Sequence, residues 1–320
     1  MPHNILVVGE LQDGALNPTT LELLGGASGL AGGGNVSVAL LGSGASAAAA
    51  QATGAGKAFV SDDAAYDTFR GEQWLPAVQA AVEQSGADLV LMAQSTAGRE
   101  LGPRLAFRLD TAVAMDAVKI EDVGGALQFT RPAYGGNALA TYTMATTPAI
   151  ATVRAKSFDP VEGGSAPSET AELPAAGESR VNVTGKEVTE AAGLAITDAP
   201  IVVSGGRGLG APEGFETLKE LAGAIGRERA AVGASRAAVD LGWFPPSEQV
   251  GLTGKVVSPD LYIAIAISGA SQHMAGCSGA KTIVAVNRDK DANIFGFSKY
   301  GIVGDWKAVV PALIAEFKKG

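Results

Sequence analysis

The segment from Leu261 to Asn287, LYIAIAISGASQHMAGCSGAKTIVAVN, constrains the fold more than any other part of the chain. It reads as a strand, a tight Gly/Ser turn, the start of a helix and a second strand. An apolar strand over Tyr262 to Ile267 that ends in Ser-Gly leaves backbone N–H groups exposed at the carboxyl edge of a sheet. The helix that follows adds unpaired N–H groups of its own and the positive end of its dipole, a setting suited to phosphate or another anion. On these residues alone the segment is a nucleotide-cofactor turn. It also carries His273, one of only two histidines in the protein.

The rest of the chain alternates in the same way. Apolar runs at Ile5–Val8, Val36–Leu41, Ala58–Ser61 and Asp88–Ala93 are separated by helical stretches near Thr19–Leu30, Ala45–Thr53, Thr68–Gln84 and Arg99–Leu109. That alternation predicts a parallel sheet with crossover helices. The pattern then changes: Ala112–Glu121, Leu127–Arg131, Ala138–Thr143 and Ala149–Arg154 follow one another as strands, which predicts antiparallel ribbons or edge strands. Asp159 to Ser179 is polar and rich in Pro, Gly, Ala and Ser, a loop; Val181–Val188 is strand-like. A second α/β pattern starts after Pro200, with strands at Ile201–Ser204, Ala230–Gly233, Tyr262–Ile267 and Thr282–Val286. Its helices are expected at Pro212–Gly226, after a turn at Arg236–Leu241, and at Trp306–Lys319. The expected fold is therefore α/β in two domains. Residues 1–195 form an N-terminal domain with a mostly parallel sheet, ending in a linker. Residues 196–320 form a doubly wound, Rossmann-like domain whose ligand lies across the carboxyl ends of the strands.

Length and composition agree with this. A chain of 320 residues fills two ordinary cores, and 47% apolar with 18% charged residues excludes a disordered protein. The net charge of −9 argues against nucleic-acid binding and suits either a basic docking partner or simple solubility. One cysteine excludes an internal disulfide and a thiolate metal cluster. Cys277 stands four residues after His273, but a small apolar residue packing a helix is the reading we adopt, with no metal site. No run approaches the ~20 apolar residues of a membrane span, so no direct membrane insertion is expected. The chain enters a strand at Asn4, leaving no room for a signal or transit peptide; we expect a bacterial cytoplasmic protein, or a mitochondrial matrix protein if a presequence has been removed.

Five loops stand at strand ends or helix starts of the second half: GGRGLG (Gly205–Gly210), VGASRAAVD (Val232–Asp240), QVGLTGK (Gln249–Lys255), SGASQH (Ser268–His273) and YGIVGDW (Tyr300–Trp306). The first contains G-R-G-L-G-A, which fits the dinucleotide fingerprint after a strand, as a plain tight turn also would. An NAD site needs an acid about 20 residues on, closing the second strand. That strand ends instead in Ala234-Ser235-Arg236. The missing acid argues against NAD, while an arginine there suits the 2′-phosphate of NADP. Ser235 reads equally as an ordinary N-cap with a solvated Arg236 beside it. His273 reads as a structural hydrogen bonder or as a donor in a cofactor turn, and Gly251 and Gly254 read as the flanks of a turn. No Ser-His-Asp arrangement, Walker A motif or HExxH motif is present.

In order and spacing these loops resemble the FAD-binding set of the electron-transfer flavoprotein α-subunit family. RPAYGGNALATY (Arg131–Tyr142) and ATVRAKSFDP (Ala151–Pro160) resemble the N-terminal domain of that family more loosely. The resemblance implies FAD contacts at Arg207, Ser235, Arg236, Val250, Gly251, Leu252, Thr253, Ser268, Gly269, Ala270, Ser271, Gln272, His273, Asn287, Asp305 and Trp306. Arg207 would meet the nucleotide portion, Arg236 would lie over the isoalloxazine ring, and Thr253 would reach its N5 edge. His273 would face the pyrimidine edge, Asn287 the adenosine half, and Asp305 the ribose hydroxyls. Arg236, Thr253 and His273 would tune the flavin, with no catalytic residue of the chain's own. Leu252 departs from the family, in which many members carry Gln. The family further implies a heterodimer with a β-subunit that holds an AMP. Its electrons come from flavin dehydrogenases such as the acyl-CoA dehydrogenases of fatty acid β-oxidation and pass to a quinone oxidoreductase. An NADP-binding oxidoreductase and a non-redox nucleotide sensor or scaffold are the competing readings.

Overall fold

A computed structural model describes residues 1–185 and 193–319. Two compact units emerge, Met1–Pro132 with Leu139–Lys186, and Ala133–Ala138 with Glu187–Gly320.

The first unit is built on a seven-stranded sheet. In spatial order its strands are Glu169–Glu172, Lys57–Ser61, Val36–Leu41, Ile5–Val8, Leu89–Ala93, Ala149–Val153 and Val113–Ala117, paired in parallel throughout. Ile5 and Val7 enter one core while Leu6 and Val8 enter another on the opposite face. A strand buried on both sides reads as an apolar run, which is why Ile5–Val8 and Leu89–Ala93 are visible in the sequence. The helix Pro18–Leu30 covers one face, started by Asn17, whose side chain accepts from the Thr19 N–H. Gly71–Ser85 and Thr96–Arg108 cover the other.

Four expectations need correction here. The stretch Ala112–Glu121 is two strands, Val113–Ala117 and Lys119–Val123, separated at Val118; Asp116 in the first adopts a left-handed φ of 63° and is gripped by Arg154 at 3.0 and 2.7 Å. Only Lys119–Val123, Ala126–Ala133 and Ala138–Thr143 form the separate three-stranded sheet, whose first pair is antiparallel; Ala149–Val153 lies inside the parallel sheet. The loop Asp159–Ser179 contains the edge strand Glu169–Glu172, held by backbone pairing to Lys57–Ser61 although it has no apolar run. Of the expected strand Val181–Val188, residues 181–185 carry none, and the remainder lies outside the described residues.

The second unit is a six-stranded parallel sheet. Its spatial order is Gln249–Val250, Ala230–Ser235, Ile201–Gly205, Leu261–Ile265, Thr282–Asn287 and Tyr300–Val303. Numbered along the chain this is 3-2-1-4-5-6, the doubly wound dinucleotide-binding order. Val202 and Tyr262 face the core under the helix Ser271–Cys277. Val203 and Ile263 face the core under Gly214–Ile225 and Trp306–Phe317. The chain winds one way from the strand Ile201–Gly205 and the other way from Leu261–Ile265, so the two strands diverge at their carboxyl ends and open a crevice. No helix among the described residues is long and apolar enough to cross a membrane.

Candidate functional site

The crevice is made by close backbone approach. After Leu261–Ile265, Ala266 takes a left-handed φ of 55°. A Cβ on Gly206 would stand 2.2 Å from the Ala266 carbonyl oxygen, and one on Gly208 would stand 2.8 Å from it. Only glycine lets the first turn lie this near the fourth strand. Gly269, at φ +81°, packs similarly, with 2.2 Å between its hypothetical Cβ and the Ile294 nitrogen.

Above this floor lies a cavity of about 920 Å³, within the range of cofactor sites. Four loops line it: Arg207 from the first turn, Ser235 and Arg236 from the second, Val250 to Thr253 from the third, and Ser268, Ala270, Gln272 and His273 from the fourth; Asn287 joins them. A flanking cavity of about 220 Å³ is lined by Arg207, Asn287, Asp305 and Trp306. Gly269 and Ser271 line neither; Gly269 shapes the turn, and Ser271 opens the short helix. The wall also includes Gln249, Asp240, Arg288 and Asp289, which sequence reasoning missed. Arg288 had a signal, a cation directly after a strand at the carboxyl edge. Gln249 had none, because its relevance depends on what its amide reaches.

Local hydrogen bonds define what each residue can offer. Ser235 precedes the helix Arg236–Asp240 but makes no capping bond, and its buried Oγ has no partner among the described residues. Leaving a hydroxyl buried and unpaired costs about 1–3 kcal/mol, so the N-cap reading fails and a ligand oxygen or nitrogen is the natural partner. Arg236 is exposed, 3.3 Å from Asp240. Thr253 Oγ1 accepts from the Gln249 amide at 3.0 Å. The Leu252 N–H donates to the Gln272 carbonyl at 2.7 Å, so this residue has no spare backbone donor. Asn287 bridges two loops, donating to the Ile267 carbonyl at 2.9 Å and accepting from the Asp289 N–H at 3.0 Å. Asp305 caps the last helix through one carboxylate oxygen, accepting from the Lys307 N–H at 2.9 Å.

His273 makes a structural hydrogen bond through one ring nitrogen. Its Nε2 is 2.9 Å from the buried Tyr262 hydroxyl. Nδ1 is buried beside the Val250 carbonyl without reaching hydrogen-bond geometry. Burial pulls the imidazole down to about 4, with the Val250 carbonyl opposing weakly, so the ring is neutral near pH 7. Burial also pushes the Tyr262 phenol up, so it stays protonated. Cys277 reaches the backbone carbonyl of His273 at 3.6 Å, not its ring, and burial raises its thiol to about 12.

Comparison with known proteins decides what such a crevice holds. Residues 5–182 match the family model "Electron transfer flavoprotein domain", and residues 195–278 match "Electron transfer flavoprotein FAD-binding domain". The chain is 38% identical to an electron transfer flavoprotein subunit alpha from Bacillus subtilis, over 100% of this chain and 98% of that protein. It is 42% identical to the subunit alpha from Paracoccus denitrificans, over 97% of this chain and 98% of that protein. The mitochondrial subunit alpha of Arabidopsis thaliana is 37% identical over 97% of this chain and 88% of its own length. The chain belongs to the electron transfer flavoprotein α-subunit family.

This flavoprotein's second unit is thus its FAD-binding domain, and flavin rather than NADP is the cofactor. The residues fit the group. The glycine floor leaves room for a backbone-hugging pyrophosphate, Arg207 and Arg288 line the same cavity and would supply cations to it, and the buried Ser235 hydroxyl has no protein partner among the described residues. Ser235→Ala separates the two sides of that fit. Without FAD the variant should be as stable as the parent or more so by ~1 kcal/mol, since a buried orphan is removed. FAD should bind about 10-fold more weakly, read by titration of flavin fluorescence. An unchanged affinity would remove Ser235 from the site.

Proposed function

We propose that the chain is an electron carrier with no substrate chemistry of its own, acting as one half of a heterodimer with a β-subunit that holds an AMP. Its first domain, residues 1–195, would meet the β-subunit, and residues 196–320 would hold the FAD. Electrons would come from flavin dehydrogenases, the acyl-CoA dehydrogenases of fatty acid β-oxidation among them, and leave one at a time to a quinone oxidoreductase. The bacterial cytoplasm, or the mitochondrial matrix after loss of a presequence, is the matching compartment.

The observation that carries this reading is the convergence of four loops on one cavity at the switch point of a 3-2-1-4-5-6 sheet. FAD supplies the redox chemistry when bound. The protein's own residues bind, orient and tune. Arg207 and Arg288 neutralise phosphate charge. Thr253 lines the cavity and would present its hydroxyl to the N5 edge of the ring. Arg236 places a cation where negative charge accumulates on reduction, with Asp240 offsetting part of it. His273 forms part of the wall as a neutral ring held by Tyr262.

Co-expression of the chain with its β-subunit, followed by a visible spectrum and reduction by an acyl-CoA dehydrogenase with its substrate, tests the proposal. A flavin spectrum that bleaches on reduction is the expected result. A colourless protein that binds NADPH would sink the proposal, and bound FAD that no dehydrogenase reduces would favour a sensor or scaffold. Arg236→Ala should lower the flavin midpoint potential by about 20–60 mV. A half-screened cation is worth ~1 kcal/mol, and a tenfold change in a one-electron equilibrium is about 59 mV. Arg236→Lys should recover most of that.

A further inference from the structure

We propose that Gln249 is a positioning residue that fixes the Thr253 hydroxyl as a hydrogen-bond donor toward the flavin cavity. The inference rests on the FAD site proposed above.

A threonine hydroxyl carries one proton and two lone pairs. Left to rotate, it offers either to whatever it meets. Here the Gln249 side-chain amide donates to Thr253 Oγ1 at 3.0 Å. That bond takes a lone pair and leaves the hydroxyl proton to point elsewhere. Both residues line the cavity; Gln249 is only 9% exposed while Thr253 is open to it. The proton is therefore directed at the cavity.

The loop is stiff enough for this. The Lys255 N–H donates to the Gln249 carbonyl at 2.7 Å, and the Gly254 N–H donates to the Gly251 carbonyl at 3.0 Å. The Gly251 N–H donates to the Lys255 carbonyl at 3.2 Å, and Leu252 is tied to Gln272 at 2.7 Å. A Cβ on Gly254 would stand 2.3 Å from the Gln249 carbonyl, so the turn closes tightly over the glutamine backbone. Gln249 and Thr253 are thus held at fixed separation by four backbone bonds, and only the hydroxyl torsion remains for the amide to set.

A directed donor suits a ring nitrogen that has a lone pair and no proton. At N5 it favours flavin states without a proton on that atom and opposes the state that carries one. Gln249 would act on the flavin through Thr253, without needing to touch it.

The test uses the full chain with its β-subunit, loaded with FAD carrying the heavy nitrogen isotope at N5, at about pH 9 where a glutamate is ionised. In Gln249→Glu the carboxylate can only accept, so it draws the Thr253 proton inward. The N5 resonance should then move downfield toward its position in Thr253→Val, and the FAD dissociation constant should rise about 3- to 10-fold. In Gln249→Leu, with Gln249→Met as a second apolar variant, the hydroxyl rotates freely and still donates part of the time, so the displacement should be smaller. A loop role alone predicts the opposite order, because an apolar residue deletes the loop bond entirely. Apolar variants that move N5 as far as glutamate or further would overturn the proposal. So would glutamate and apolar variants that leave N5 unmoved while Thr253→Val moves it. If Thr253→Val itself leaves N5 unmoved in a flavin-loaded protein, Thr253 does not reach the ring; the inference falls with that assignment while FAD binding stands.

Discussion

Gly206→Ala is expected to purify without FAD and with its second unit destabilised by about 3 kcal/mol. A Cβ at this position would stand 2.2 Å from the Ala266 carbonyl oxygen and 2.9 Å from both the Ala266 carbonyl carbon and the Ile267 Cα. All three atoms belong to the backbone, so no side chain can swing aside. The first turn must instead lift off the fourth strand, which closes the crevice where the cofactor would lie. Gly269→Ala should do as much or more. It combines a clash at 2.2 Å from the Ile294 nitrogen with a φ of +81°, which alone costs about 1–2 kcal/mol for an L side chain. Gly242→Ala is the control: its φ is +72° but nothing lies within 4 Å, so only the conformational cost should appear. Flavin content after purification and thermal unfolding followed at Trp243 and Trp306 read both effects. A Gly206→Ala protein that keeps its flavin and melting temperature would refute the close approach of these two turns.

The second large effect is on acid stability. His273 is held to about 4 in the folded protein against 6.5 for an exposed histidine. Between those two pH values the unfolded chain binds a proton that the folded chain refuses, so stability rises with pH across the window and falls as the medium is acidified. The full difference is on the order of 3 kcal/mol, fully lost by about pH 4. Asp62, Asp63, Glu72 and Asp122, held low by their hydrogen bonds, lose their contributions only at lower pH; Glu10 and Glu22, raised by burial, act with the opposite sign. All six lie in the first unit. Amide exchange at Tyr262 and its neighbours, compared between the parent and His273→Gln, isolates the histidine. The glutamine variant should start less stable yet show a shallower slope between about pH 6.5 and 4. Parallel slopes would mean that the imidazole is not buried as described.

Much of this protein was legible in its sequence because the signals are local. Ile5–Val8 shows as an unbroken apolar run, and Val36–Leu41 as one interrupted only by Ser37, because both of their faces are buried, a property of each strand by itself. The loops ending in glycine were legible for a similar reason, since a turn of left-handed φ or close approach limits its own residues. Two α/β patterns, the position of the second one after Pro200 and the family resemblance all follow from such runs and spacings.

What the chain's order cannot encode locally is which distant groups meet. The strand Glu169–Glu172 was invisible because an edge strand can be held by backbone bonds alone, with ordinary polar side chains. Ser235 looked like an N-cap, and only the absence of a capping bond in the folded turn frees its hydroxyl. His273 read as either a structural hydrogen bonder or a cofactor donor, and only the fold shows that the Tyr262 hydroxyl meets its Nε2 while Nδ1 stays buried without a partner among the described residues. Asn287 and Asp305 stand where the spacing put them, yet their amide and carboxylate are partly committed to neighbouring loops. The sequence by itself determined the strands, the turns and the family. The alternation already implied a doubly wound sheet with its ligand across the strand ends; the register of the strands and the partner each polar atom finds in the crevice came only from the tertiary structure. Register is set by nonlocal packing of whole faces, and a hydrogen bond by distances of tenths of an ångström between residues far apart in the chain.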